Sequence, residues 1–206
     1  MALVKGSNNG KQDKNKWGAH NIGARQITII GVLTAMTLVT TVFTKIPLVI
    51  GYFNLGDTFV LLAGVLFGSL TGAFTGAVGS ALADIFTGAY IFAPITFIVK
   101  GAEGYIAGKV SGGGIANNSA ADSFLTKGGA IREKPARPKL MPALIVGAGV
   151  MVAGYFVAEA AVLSIFDRAF GISAAVAELP FNLAQSGISI ILARVVVEGL
   201  KRTKVV

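Results

Sequence analysis

The sequence predicts an all-α integral membrane protein with six transmembrane helices and both termini in the cytoplasm. Three observations carry that reading. The chain of 206 residues is 53% hydrophobic and only 14% charged, where a soluble domain carries about 25% charged residues. Its mean hydropathy is +0.71. Its basic residues gather in short segments that flank apolar runs, as the positive-inside rule requires of cytoplasmic segments. The net charge of +8 therefore reads as membrane topology, and not as a nucleic-acid footprint.

The elements follow in order. Residues 1–26 form a basic cytoplasmic tail with Lys5, Lys11, Lys14, Lys16 and Arg25. The first span is Ile27 to Ile46, about 20 residues and long enough for about 30 Å of hydrocarbon. Pro47 ends it, because proline disfavours helix in the residue before it. Residues 47–56 (PLVIGYFNLG) form an apolar outer loop punctuated by glycine. The run 57–87 would overshoot the bilayer as one helix, at about 46 Å. Both the N-terminal tail and the basic linker 109–139 belong in the cytoplasm, so an even number of crossings separates them. The run is therefore expected to be two short helices, 57–69 and 72–87, hinged at FGSLTG. Ile91 to Ala107 is the fourth span, and Leu140 to Phe166 the fifth. An outer loop is expected at 167–178, and Leu179 to Val197 is the sixth span. Residues 201–206 close the chain as a second basic tail, so residues 27–200 make up the membrane domain.

Small residues mark the packing. Gly64, Gly68, Gly72 and Gly76 recur every four residues, a spacing that lets helix backbones approach closely in lipid. The stripe reads either as packing within the bundle or as a surface for another membrane subunit. Gly31 and Ala35 form a second small pair on the first helix, with the same two readings.

Charged and amide side chains in such apolar runs are functional candidates, since each charge costs about 2.5–3.5 kcal/mol at mid-bilayer. Asn54 and Asp57 lie in the first outer loop and at the start of helix two. Asp84 is near the outer end of helix three, with Tyr90 in the turn after it. Lys100 sits near the middle of helix four, with Glu103 one turn deeper. Glu159 is in the outer half of helix five. Asn182 and Gln185 share a face of helix six, being three apart. Together with Tyr52, Phe53, Phe92 and Phe181, these groups suit a compact polar heterocycle that stacks on aromatic rings and is read at its edge. Structural readings stand beside the functional ones. Asp57 can cap a helix, and Lys100 with Glu103 can be an i, i+3 ion pair.

Enzyme chemistry finds no support. His20, in the tail, is the only histidine and there is no cysteine, which excludes a histidine-based triad and thiolate sites. GAEGYIAGKVS is not a phosphate-binding loop, because Glu103 and Val110 stand where glycine and a hydroxyl residue are required.

The order FNLGD, then GSALADIFTGAYIFAPITFIVKGAEGYIAG, then LPFNLAQ resembles the substrate-binding S components of energy-coupling factor (ECF) vitamin importers, in the riboflavin-type or unassigned branch. The resemblance spans about 27–200 apart from much of the linker. It implies a multi-pass protein of the bacterial cell membrane that captures a vitamin or precursor from outside. Pyridoxine, hydroxymethylpyrimidine and riboflavin all fit that expectation. The resemblance further implies docking on a transmembrane coupling (T) subunit that carries two ATPase subunits, so that ATP is used by the partners and no cofactor belongs to this chain. In the family, small residues on helix one, typically an Ala-xxx-Ala pair, make the docking contact. That role maps onto Gly31 and Ala35, with glycine replacing the first alanine. Outer loops one, three and five close over substrate, which maps onto 47–56, 87–92 and 167–178. The competing expectations are a self-contained ion-coupled carrier, for which no inverted repeat is visible, and an inert scaffold subunit.

Overall fold

The computed structural model describes residues 24–48, 51–116, 139–168 and 170–203. The N-terminal tail and most of the linker expected to be cytoplasmic lie outside them. Six long helices account for most of the described residues: α1 (Ala24–Phe43), α2 (Asp57–Phe67), α3 (Ser69–Phe86), α4 (Ala93–Val110), α5 (Leu140–Val157) and α6 (Ile172–Arg202). Between α1 and α2 the chain forms a small antiparallel hairpin, β1 (Ile46–Pro47) and β2 (Tyr52–Phe53), with Ile46 opposite Phe53. The sequence predicts a glycine-punctuated loop over 47–56, and the structure adds this pairing to it.

The expected division of 57–87 is present, and its cause is a single residue. Gly68 has φ 96°, a conformation that side chains resist, so α2 ends at Phe67 and α3 begins at Ser69. Of the six helices, α1, α5 and α6 contain stretches long and apolar enough to cross a membrane by themselves. By contrast, α2 has 11 residues and α4 carries Lys100, Glu103 and Lys109. Three expectations need correction. The first helix stops at Phe43, and Ile46, expected as its last residue, stands with Pro47 in β1. The sixth helix begins at Ile172, not Leu179, and holds Pro180 inside it. Proline is tolerated within membrane helices because neighbours re-satisfy the freed backbone groups. The fifth helix is not uniform: a π turn, Ala158–Val162, and a 3-10 turn, Leu163–Ile165, follow Val157.

The glycine stripe is the packing surface of α2, α3 and α4. A Cβ on Gly72 would stand 2.4 Å from the Gly104 carbonyl oxygen, and one on Gly104 would stand 2.1 Å from that of Gly72. Gly76 faces the Lys100 carbonyl in the same way, at 2.1 Å, and Gly64 faces that of Gly104 at 2.5 Å. Backbone lies on backbone, and dispersion at that range is what holds helices together where lipid competes for apolar contact. Leu61, Leu62, Val65, Leu66, Leu144 and Val197 form an apolar core at one end of the bundle. Polar side chains occupy the other end. Gly31 and Ala35 instead lie on the outward face of α1, where a Cβ on Gly31 would meet nothing within 4 Å.

Gly104→Val should therefore destabilise the fold by about 3 kcal/mol or more through overpacking, read as a fall in thermal unfolding temperature in detergent. Gly149→Ala, at a site with nothing within 4 Å, should be neutral or stabilising by about 0.4–1 kcal/mol.

Candidate functional site

The polar end is built around one buried cation. Lys100, 2% exposed, donates to Asp57 Oδ1 and contacts Glu103 Oε2 at 3.3 Å. Asp57 is the first residue of α2, yet no side-chain bond caps that helix. Its second oxygen accepts a hydrogen bond from Gln185 Nε2 at 2.8 Å. Gln185 Oε1 in turn accepts the backbone N–H of Asn54 at 2.8 Å. The amide of Asn54 faces back along its own loop, where Oδ1 accepts the Gly56 N–H at 2.9 Å. One chain of contacts thus runs from α4 through α2 and α6 to the loop below β2. Buried charges are tolerated when paired and hydrogen-bonded in this manner.

Above this floor lies a small cavity lined by Gly51, Tyr52, Asn54, Phe92, Thr96, Tyr155, Glu159, Glu178, Asn182 and Gln185. Its free volume is about 20 Å³, on the scale of one water molecule. The hairpin closes it on one side. Gly51 N–H donates to Glu178 Oε1 at 2.8 Å, and Leu55 N–H donates to Thr44 Oγ1 at 2.9 Å. On the far wall, the hydroxyls of Thr96 and Tyr155 are 3.0 Å apart, and the Lys100 ammonium lies 5.4 Å from the centre of the Tyr155 ring. At the rim, Lys45 donates to Thr87 Oγ1 at 2.6 Å and sits 3.7 Å from the Tyr52 ring centre. Burial lowers the pKa of Lys45 below the ordinary lysine value, and the charge of Asp84 opposes that.

Of the residues singled out from sequence, Asn54, Glu159, Asn182 and Gln185 line the cavity. Asp57 and Lys100 lie beneath it and reach it through Gln185. Asp84 is fully buried outside the lining, beside Thr96 and within electrostatic reach of Lys45 and Lys100. Tyr90 is not brought in: it is 67% exposed on the turn between α3 and α4. Phe181 is likewise exposed and absent from the lining.

Sequence reasoning missed Thr96, Tyr155 and Glu178. Helical spacing held the signal. Thr96 precedes Lys100 by four residues, Tyr155 precedes Glu159 by four, and Glu178 precedes Asn182 by four. Each pair shares a helix face. Glu178 escapes because the expected outer loop 167–178 includes it, whereas the helix begins at Ile172.

A family model described as "ECF-type riboflavin transporter, S component" matches residues 21–202. An uncharacterized protein from Pyrococcus woesei, described as lying in a gap 3' region, is 46% identical over 77 residues, which is 36% of this chain. The match takes in about half of that relative's length, 51%. A solved structure described as "Structure and mechanism of the S component of a bacterial ECF transporter" superposes with a TM-score of 0.49 at 19% identity, covering 87% of this chain and 96% of that one.

Lys100→Met strips from two buried carboxylates the cation that pairs them and should cost about 3–5 kcal/mol. Combining it with Asp57→Asn and Glu103→Gln should restore most of the loss, measured by thermal unfolding in detergent.

Proposed function

The chain belongs to the family of ECF-type riboflavin transporter S components, and on that premise we propose that it binds a water-soluble vitamin or precursor at the cavity between the hairpin and α4–α6. The observation that carries the reading is the junction of that family membership with a buried, mixed polar and aromatic lining at one end of the bundle. Tyr52, Phe92 and Tyr155 offer ring faces, while Asn182, Gln185 and Glu159 offer groups that read an edge. Riboflavin is the compound named in the family's description. A hydroxylated pyridine or pyrimidine, such as pyridoxine or hydroxymethylpyrimidine, suits the same walls.

In this reading all six helices form a multi-pass membrane domain with both termini cytoplasmic, and the cavity faces outward. With about 20 Å³ of free volume, the closed cavity admits a ring only when the hairpin parts from α6. The two hydrogen bonds at Gly51 and Asn54 are the contacts that must yield. The chain holds no ATP-binding loop, so transport falls to partners: a transmembrane coupling subunit and two ATPase subunits. Gly31 and Ala35, on the outward face of α1, supply the surface where a partner helix can approach.

The purified chain should bind its vitamin alone yet support uptake into vesicles only with the coupling and ATPase subunits and ATP. Uptake by the isolated chain without ATP would overturn the reading. Asn182→Ala should weaken binding about tenfold, the loss of one buried hydrogen bond, measured by titration calorimetry, while Tyr90→Ala should leave affinity unchanged. Gly31→Leu should abolish ATP-driven uptake in the assembled complex with ligand affinity intact.

A further inference from the structure

The cavity walls are uneven in charge. Among the described residues that line it, Glu159 and Glu178 carry carboxylates, and there is no lysine or arginine. The neighbouring cations are engaged elsewhere: Lys100 with Asp57 and Glu103, and Lys45 with Thr87 and the Tyr52 ring. Glu178 accepts the Gly51 N–H. Glu159 differs from all of these. It is 2% exposed, and its Oε2 is buried with no hydrogen-bond partner. The charge that acts on it is that of Glu178, of the same sign. A carboxylate withdrawn from water in that state is strongly disfavoured unless a proton, a donor or a cation arrives.

Backbone geometry shows that the position is built. Glu159 stands in the π turn Ala158–Val162, a rare widening that concentrates at functional sites. Its carbonyl oxygen, near the end of the regular helix, accepts the N–H of Gly171 at 3.0 Å. The loop before α6 therefore holds the wide turn in place. Tyr155, one turn earlier on the same wall, presents an aromatic ring to the same cavity. A carboxylate beside ring faces is the arrangement that binds cationic nitrogen, by charge-assisted hydrogen bonding and by attraction to the π face.

We propose that Glu159 is the anchor for a cationic nitrogen on the transported solute, so that the cavity selects a protonated amine or cationic heterocycle over neutral and phosphorylated relatives bearing the same ring. This inference rests on the S-component reading and names its substrate class. A phosphate brought against Glu159 and Glu178 would place like charges together, and a neutral ring would leave Glu159 without a counter-charge.

The test is equilibrium binding to the full chain, stripped of ligand in detergent, with matched probes. Pyridoxamine and pyridoxine share a ring and differ in amine against hydroxyl; pyridoxamine phosphate adds the anion. Thiamine with thiamine monophosphate, and riboflavin with its monophosphate, complete the panel. In at least one set the cation should bind about tenfold or more tighter than its neutral or phosphorylated relative. Glu159→Gln, which keeps the shape, should shrink that preference to about threefold or less, and Glu159→Asp should retain part of it. Riboflavin binding that is equal in wild type and Glu159→Gln, with no preference for either cation, overturns the anchor. Binding of neither cation overturns it as well. ATP-dependent uptake of riboflavin by the assembled complex would then leave the S-component reading standing, whereas absence of any ATP-dependent vitamin uptake would remove that reading itself.

Discussion

Lys100 is tolerated in an apolar interior because Asp57 and Glu103 are buried with it, and the three charges tie α2 to α4. An ammonium alone at that depth would be driven to neutralise, and either carboxylate alone would face the same penalty. Together they fix the start of α2 against the middle of α4. The remaining oxygen of Asp57 then recruits Gln185 from α6. Through Gln185 the pairing reaches the backbone of Asn54, so the floor of the cavity and the loop that closes it share one set of polar contacts.

That pairing also demands closeness, and glycine supplies it. Gly72 against Gly104, and Gly76 against the carbonyl of Lys100, bring α3 and α4 to backbone contact. Lys100 thus has its main chain locked by one neighbour and its side chain by another. The outer helices do a different job. Val32, Val39, Ile145, Ile191 and Val195 are exposed on α1, α5 and α6, and the three apolar stretches of membrane-crossing length belong to these same helices. A charged and glycine-rich seam, set beside the apolar core, sits within a greasy jacket that a soluble fold would not expose.

Much of this was legible in the chain because the signals were local. The glycine-rich FGSLTG stretch divides two helices as expected, since a positive φ at Gly68 acts on the backbone directly, whereas α1 stops at Phe43, before Pro47 could end it. The small-residue stripe resolves to bundle packing because Gly64, Gly72 and Gly76 all face other helices of this chain. The site was only partly legible. Asn54, Glu159, Asn182 and Gln185 share one cavity, because amides and carboxylates at that depth have few places to go. Tyr90 does not join them, because an aromatic residue in an outer turn rests equally well against lipid headgroups or water. Glu178 was hidden by the expected loop 167–178, which the structure replaces with the first turns of α6, continuing through Pro180. The π turn at Glu159 left no mark in the composition at all. It depends on the loop that returns to Gly171, a tertiary contact that periodicity does not encode.

The strap over the cavity is gripped by its amide groups. Gly51, Asn54 and Leu55 each give an N–H to a side chain on α6 or just beyond the end of α1, so the fixed partners are Glu178, Gln185 and Thr44. The Asn54 amide, which accepts from Thr41 Oγ1, and the Tyr52 ring beneath Lys45 add to the fastening. Leu55 can then change its side chain without unmaking the clasp, whereas Asn54 and Tyr52 cannot change as freely. Change in the strap is therefore cheap where the main chain alone makes the fastening and costly where a side chain joins it.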